Sequence, residues 1–162
     1  MASGDPLEQT LLHLAPALAR ARQPWWVIAS GAVKLHTGSD MPIGDLDLLL
    51  ARADVEAVFA ALGLAVTPGG SDGLFRSAVF ARYAGAPLPV ELFAEFELCR
   101  DGQWQAIVPQ SRRLLRWGRG EAYVPEADEL AAILRRFGRD KDLARAELLS
   151  PSDRSPSRSG NA

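Results

Sequence analysis

Trp25-Trp26-Val27-Ile28-Ala29-Ser30-Gly31-Ala32-Val33-Lys34-Leu35-His36-Thr37-Gly38-Ser39-Asp40-Met41-Pro42-Ile43-Gly44-Asp45-Leu46-Asp47-Leu48-Leu49-Leu50 is the stretch around which the chain is organised. An apolar run ends in Ser30-Gly31, a short helical segment follows, and a loop leads into Asp45-Leu46-Asp47 with three leucines behind it. Aspartate is disfavoured inside strands, so two of them at alternating positions of a leucine-rich run need a reason. Residues i and i+2 of a strand face the same way, which sets Asp45 and Asp47 side by side while Leu46 and Leu48 anchor in the core. Like charges that close repel and raise each other's pKa unless a cation lies between them. A hard divalent ion such as magnesium suits the pair, because it takes carboxylate oxygens and shares its remaining positions with phosphate and water.

Upstream, Leu7, Leu11, Leu14 and Leu18 recur at helical spacing, so residues 6–22 read as an amphipathic helix, with Pro16 inside it as a kink or break. Pro24 stops that helix and Trp25 to Ala29 read as a buried strand. Residues 32–37 read as a short helix. The Ser30-Gly31 junction before it lets backbone approach a ligand, and a helix N-terminus offers unpaired N–H groups to an anion. Gly38 to Gly44 form a loop, and Gly44 to Leu50 the second strand.

Downstream, residues 54–62 read as a surface helix with Val55, Val58, Phe59 and Leu62 inward, and Pro68 to Gly73 as a turn. Leu74 to Tyr83 and Leu88 to Leu98 suit two strands joined by a tight connection. In the second, Val90, Leu92, Ala94 and Phe96 share one parity and Glu91, Phe93, Glu95 and Glu97 the other. An acidic row of this kind is commonly a solvated face. Near the aspartates, Glu91 completes a metal cage, with Glu95 as its rival on the same face. Arg100 to Gln103 read as a hairpin turn, Ser111 to Trp117 as a helix, and Glu121 to Val124 as a strand. Pro125 opens another helix at N1, with Leu130, Ile133, Leu134 and Phe137 as its stripe and Gly138 at its end. Lys141 to Leu149 read as a last short helix with Leu143, Ala146 and Leu149 inward. The tail from Ser150 is too poor in apolar residues to order itself. The chain thus divides into one domain, 1–149, and a tail, 150–162.

At 162 residues, 48% of them apolar, the chain is long enough for one domain with a real core. A formal net charge of -2 demands neither a nucleic acid nor a membrane as partner. Cys99 is alone, so no internal disulfide forms, and no apolar run approaches the length of a membrane span. Asp5 and Glu8 stand where a secretory signal carries positive charge. These features point to a cytoplasmic location.

The order of apolar strand, Ser-Gly, short helix, loop, Asp-x-Asp and a later strand carrying Val90-Glu91-Leu92-Phe93 resembles the polymerase-beta-type nucleotidyltransferase superfamily. The likeness spans residues 25 to about 149. It is strongest to small stand-alone bacterial members: antibiotic, minimal toxin-antitoxin and abortive-infection nucleotidyltransferases. Several of these carry a late Arg-x-Lys-Asp segment, matched by Arg139-Asp140-Lys141-Asp142. Two positions depart from the pattern. Ser30 replaces the usual first glycine, and Arg145 lies where many relatives have another aspartate.

The resemblance implies an α+β fold, with a mixed β-sheet core, helices packed on it and a short C-terminal helical segment. It also implies transfer of a nucleoside monophosphate from a nucleoside triphosphate to an acceptor hydroxyl, with release of pyrophosphate. Asp45, Asp47 and Glu91 would hold one or two magnesium ions. Ser30 and Gly31 would hold the triphosphate, Lys141 and Arg76 would offset its charge, and Gly44 would leave room for the nucleotide. Arg135, Arg136, Arg139 and Lys141 equally read as a solvated basic face. The acceptor (drug, tRNA, protein or sugar) has no short motif. A degenerate module that binds nucleotide or partner without turnover is the second reading. A toxin-antitoxin partner protein is the third, with Trp104, Trp117 and residues 112–119 as its surface.

Overall fold

The parallel pairing of two strands from distant parts of the chain sets the architecture. The computed structural model describes residues 4–150, and the expected tail lies outside them apart from Ser150. The elements run α1 (Pro6–Leu18), β1 (Trp26–Ile28), α2 (Ala29–Thr37), β2 (Leu46–Leu50), α3 (Val55–Leu62), β3 (Phe75–Tyr83) and β4 (Val90–Arg100). Then follow β5 (Gln103–Ala106), β6 (Arg113–Trp117), β7 (Gly120–Val124), α4 (Ala127–Phe137) and α5 (Asp140–Leu148). The sheet order is β1-β2-β4-β3, and β5 pairs with the far end of β4. β2 and β4 run parallel, while β1–β2, β3–β4 and β4–β5 are antiparallel. The fold is therefore α+β with a mixed sheet, as expected.

One face of the sheet is the core. Val27, Leu46, Leu48, Leu50, Val90, Leu92, Ala94 and Leu98 join one buried cluster with the leucine stripe of α1 and the apolar sides of α3 and α4. Burial of these side chains supplies most of the driving force, at about 1.5–3 kcal/mol for each large one. α1 begins at an aspartate cap, where the Asp5 carboxylate accepts from the Glu8 amide, and runs unbroken through Pro16 to Leu18 rather than to residue 22.

Several expectations are corrected. Residues 111–117 are not helical: Arg113 to Trp117 pair with Gly120 to Val124 in a two-stranded sheet of their own. The turn is only Gly118-Arg119, and Gly118 has φ 62, which a glycine adopts without strain. Leu143 does not face inward; it is 42% exposed, and Asp142 is buried instead. Pro125 precedes the cap of α4, Glu126, rather than opening the helix. The second strand begins at Leu46, so Asp45 sits on the loop that enters it. Finally, Phe96 leaves the parity of Ala94. Glu95 takes φ 55 in mid-strand, and Phe96 then packs on Phe93 at the opposite face, with ring centroids 4.9 Å apart.

Candidate active site

The open face of the sheet carries a row of side chains from four strands. Ile28 is opposite Asp47, Asp47 is opposite Glu91, and Glu91 is opposite Arg82. The parallel register thus sets Asp47 and Glu91 on neighbouring strands at one level. Asp45, two residues before Asp47, joins them: one carboxylate oxygen from each acid lies within 4.8 Å of the other two. Three carboxylates gathered this closely are costly. Burial, then the charges of Asp45 and Glu91, push the Asp47 carboxyl up to about 7.

This donor set fits a hard divalent cation. Oxygens around octahedral magnesium at 2.0–2.1 Å lie about 3–4 Å apart, so the three acids need only a small contraction to share one ion. Arg82 holds the third acid, with its Nη1 2.8 Å from Glu91 Oε2. The pairing of Arg82 with Glu91 is visible only once β3 is laid beside β4.

The row opens into a cavity of about 460 Å³, lined by Ile28, Ala29, Asp47 and Glu91 on the sheet side. Phe75, Phe80, Phe93, Phe96 and Phe137 form aromatic walls. Gly70, Ser71 and Asp72 make a rim. Backbone N–H groups of Phe75 and Leu74 donate to Asp72 Oδ1 and hold that carboxyl below its ordinary range.

Two cations line this cavity, Arg76 and Arg139. Arg139 is clamped by a carboxylate with no solvent exposure: its Nε lies 2.6 Å from Asp142 Oδ2, and its Nη2 3.0 Å from Asp142 Oδ1. Its guanidinium stands 4.9 Å from the Phe75 ring centroid. Arg145, on the next turn, reaches Asp142 at 4.0 Å and lowers the Asp47 pKa by its charge. Lys141 is exposed and does not line the cavity. The i,i+3 spacing of Arg139 and Asp142 was the available signal for this clamp. Arg76 is drawn aside by Glu97, at 2.5 Å, and lies 4.3 Å from the Trp104 ring centroid.

The strand-to-helix junction is built from Ala29 onward. Ala29 has φ 59, a left-handed conformation that costs an L-residue roughly 1–2 kcal/mol. It turns the chain sharply and puts Ser30 and Gly31 in the first turn of α2, both buried. Gly31 answers to packing as well as to any ligand. A Cβ there would meet Leu46 Cδ1 at 2.6 Å and Val27 Cγ1 at 3.1 Å, whereas a Cβ on Gly44 would meet nothing within 4 Å. Gly31→Ala is therefore expected to destabilise the fold by about 1–3 kcal/mol through overpacking, despite the better helix propensity of alanine. Gly44→Ala should leave stability within about 0.5 kcal/mol. Urea unfolding of the two variants side by side checks the contrast.

A buried lysine fixes the loop that carries Asp45. Lys34 is 8% exposed, and its Nζ donates to the carbonyls of Ser39 at 3.0 Å and Met41 at 2.6 Å. The Trp117 ring centroid lies 5.0 Å away. The signal in the sequence was a lysine inside the apolar run Ala32-Val33-Lys34-Leu35. Lys34→Met frees residues 38–44 and is expected to weaken divalent-metal binding about tenfold, as loss of an outer supporting contact commonly does. Calorimetric titration with Mn²⁺ measures it. His36, in the same helix, has Nε2 2.7 Å from the Pro125 carbonyl and so ties α2 to the start of α4.

No family profile and no curated sequence matches the chain. Solved structures do. A provisionally assigned nucleotidyltransferase from Thermotoga maritima superposes with a TM-score of 0.62 at 18% identity, over 77% of this chain and 81% of that one. The antibiotic-resistance factor ANT(2'')-Ia superposes in its solution structure with a TM-score of 0.55 at 14% identity, over 90% of this chain and 83% of its own. Its crystal structure with adenylyl-2''-tobramycin gives 0.56 at 13% identity, over 90% and 88%. The fold is that of the nucleotidyltransferases. Within this nucleotidyltransferase fold the sheet row and the loop before β2 bring together Asp45, Asp47 and Glu91, the three acids singled out in the sequence. Among the described residues no helix is long and apolar enough to cross a membrane.

Proposed function

We propose that the chain is a magnesium-dependent nucleotidyltransferase that moves a nucleoside monophosphate from a nucleoside triphosphate to an acceptor hydroxyl. The observation that carries this reading is the convergence of Asp45, Asp47 and Glu91 within 4.8 Å at the mouth of an aromatic cavity, in a nucleotidyltransferase fold. The three carboxylates would hold the divalent cation, which supplies neutralisation of phosphate charge and polarisation of the attacked phosphorus. The acceptor oxygen forms a bond to the α-phosphorus, the bond from that phosphorus to the β-phosphate oxygen breaks, and pyrophosphate leaves. Glu91 would help lower the pKa of the acceptor hydroxyl or accept its proton. Amides in the first turn of α2, at Ser30 and Gly31, offer N–H groups to phosphate oxygens. Arg76 and Arg139 line the same space and would offset the charge of the triphosphate, and Lys141, outside that lining, would add to them from the exposed face of α5. Gly44, without a side chain, leaves the entry beside Asp45 open. Catalysis of this kind is alignment and charge neutralisation.

A second reading, a silent nucleotide- or partner-binding module of the toxin-antitoxin type, is favoured by one observation: Arg82 already occupies Glu91. Incubation with each labelled triphosphate, magnesium and cell extract separates the two. Active protein releases pyrophosphate in a metal-dependent way and labels an acceptor. Binding of triphosphate with no release under any condition sinks the enzyme reading. The cell fraction that carries the acceptor also tests the expected cytoplasmic location.

A further inference from the structure

A second hollow, of about 770 Å³, lies beside the catalytic cavity and shares Arg76, Ser77 and Phe96 with it. Its lining is largely apolar: Pro24, Trp26, Leu49, Phe96, Ile107 and Val108. Four charged side chains reach it, and their pairing leaves one sign over. Arg52 is held by Glu56 through both oxygens at 3.0 Å, and Arg76 by Glu97 at 2.5 Å. Glu95 has no ionic partner among the described residues.

The backbone at Glu95 is the second observation. It holds φ 55 in mid-strand, a conformation costing an L-residue about 1–2 kcal/mol, and strain of this kind gathers at ligand sites. Its consequence is visible. The twist brings Phe96 out of the core parity and makes it the wall between the two hollows, against Phe93. Glu95 and Glu91 lie four residues apart on one strand, about 13 Å. A molecule lying along β4 over Phe93 and Phe96 therefore meets Glu95 at one end and the acidic triad at the other.

We propose that this hollow seats the acceptor, and that the acceptor is a small molecule with an apolar or aromatic body, a single protonated amine against Glu95, and a hydroxyl reaching the Asp47–Glu91 end. The assignment rests on the nucleotidyl-transfer reading above. A polycationic sugar, with several amines to neutralise, would find one free carboxylate and an apolar wall. It fits poorly.

The test uses the full chain and three probes of one shape: 2-naphthylethylamine, 2-naphthylethanol and 2-naphthylacetate, with tobramycin as the polycationic comparison. Equilibrium dialysis is expected to rank the amine about fivefold tighter than the alcohol and the carboxylate weaker still, the range of a partly exposed charge pair. Glu95→Gln should bring the three within about twofold of one another, and Ala106→Trp, at an exposed position on the rim, should weaken all three. Magnesium-dependent triphosphate binding, measured alongside, should survive both substitutions, with amine and triphosphate held together. An amine no tighter than the alcohol, a ranking that persists in Glu95→Gln, or tobramycin binding more tightly than the amine overturns the proposal. If triphosphate binds and the ranking is missing, this assignment alone falls. If the ranking holds and triphosphate does not bind, the nucleotidyl-transfer reading falls, and the hollow's assignment as an acceptor seat falls with it.

Discussion

Asp47→Asn is expected to lower pyrophosphate release by at least ~10³-fold and, without metal, to make the protein more stable than the native chain at pH 8. The two effects have one cause. Burial and the charges of Asp45 and Glu91 push the Asp47 carboxyl up to about 7, from an unfolded value near 3.8. Between those values the folded chain holds a proton that the unfolded chain has released. Metal-free stability contributed by this group is therefore fully present below pH 4 and is lost as pH rises through 7. Asparagine removes the charge and its cost. Thermal unfolding in chelator should show the variant melting about 3–6 °C above the native chain at pH 8, the shift that ~1–2 kcal/mol produces in a domain of this size, and no higher at pH 5. Saturating Mg²⁺ should reverse the order at pH 8, because the native site then has its counter-charge. A native chain that melts higher than the variant at pH 8 in chelator would contradict this account of the triad.

Arg139→Ala should cost roughly 3–5 kcal/mol, the largest loss of stability expected from any single side chain on the open face. The substitution takes both side-chain contacts from Asp142, which has no solvent exposure and keeps only the residue-139 backbone N–H, at 3.3 Å, and Arg145, at 4.0 Å. It also takes a guanidinium from the cavity beside the three acids. Arg139→Lys keeps the charge but cannot form the two-pronged contact, so it should recover part of the stability. Urea unfolding gives the first quantity, and triphosphate binding by the Lys variant separates the cavity's need for charge from the fold's need for a clamp. Equal unfolding midpoints for the native and Ala chains would remove Arg139 from the clamp role, and unchanged triphosphate binding from the cavity role.

What could be read from the chain alone was what depends on near neighbours. The leucine stripe of α1, the stripe of α4 and the Asp-x-Asp step into β2 have short periods, and periodicity reports them directly. Glu91 was legible because β4 alternates cleanly up to Ala94. Beyond that point the alternation misleads: the left-handed turn at Glu95 moves Phe96 to the other face, and no pattern announces it. Residues 113–117 carry two leucines and a tryptophan that suit a helix or a strand equally. The choice is made by pairing with β7 across the Gly118-Arg119 turn. Arg82, Lys34 and Arg139 share another difficulty, since each acts through a partner or surface that only the assembled sheet supplies. Lys141 stood out for its motif, yet it is Arg139, two residues earlier, that faces the cavity.

The parallel register of β2 and β4 has a consequence for the timing of assembly. Asp47 and Glu91 meet only when the crossover between the two strands, through α3 and β3, has closed, and such non-local pairing comes late in folding. A growing polypeptide that has left the ribosome as far as Tyr83 carries both aspartates and, of the aromatic wall, Phe75 and Phe80, but not the third acid. The acid set is thus completed in one step, with insertion of the central strand. Half-made chains hold two of the three acids and no complete set.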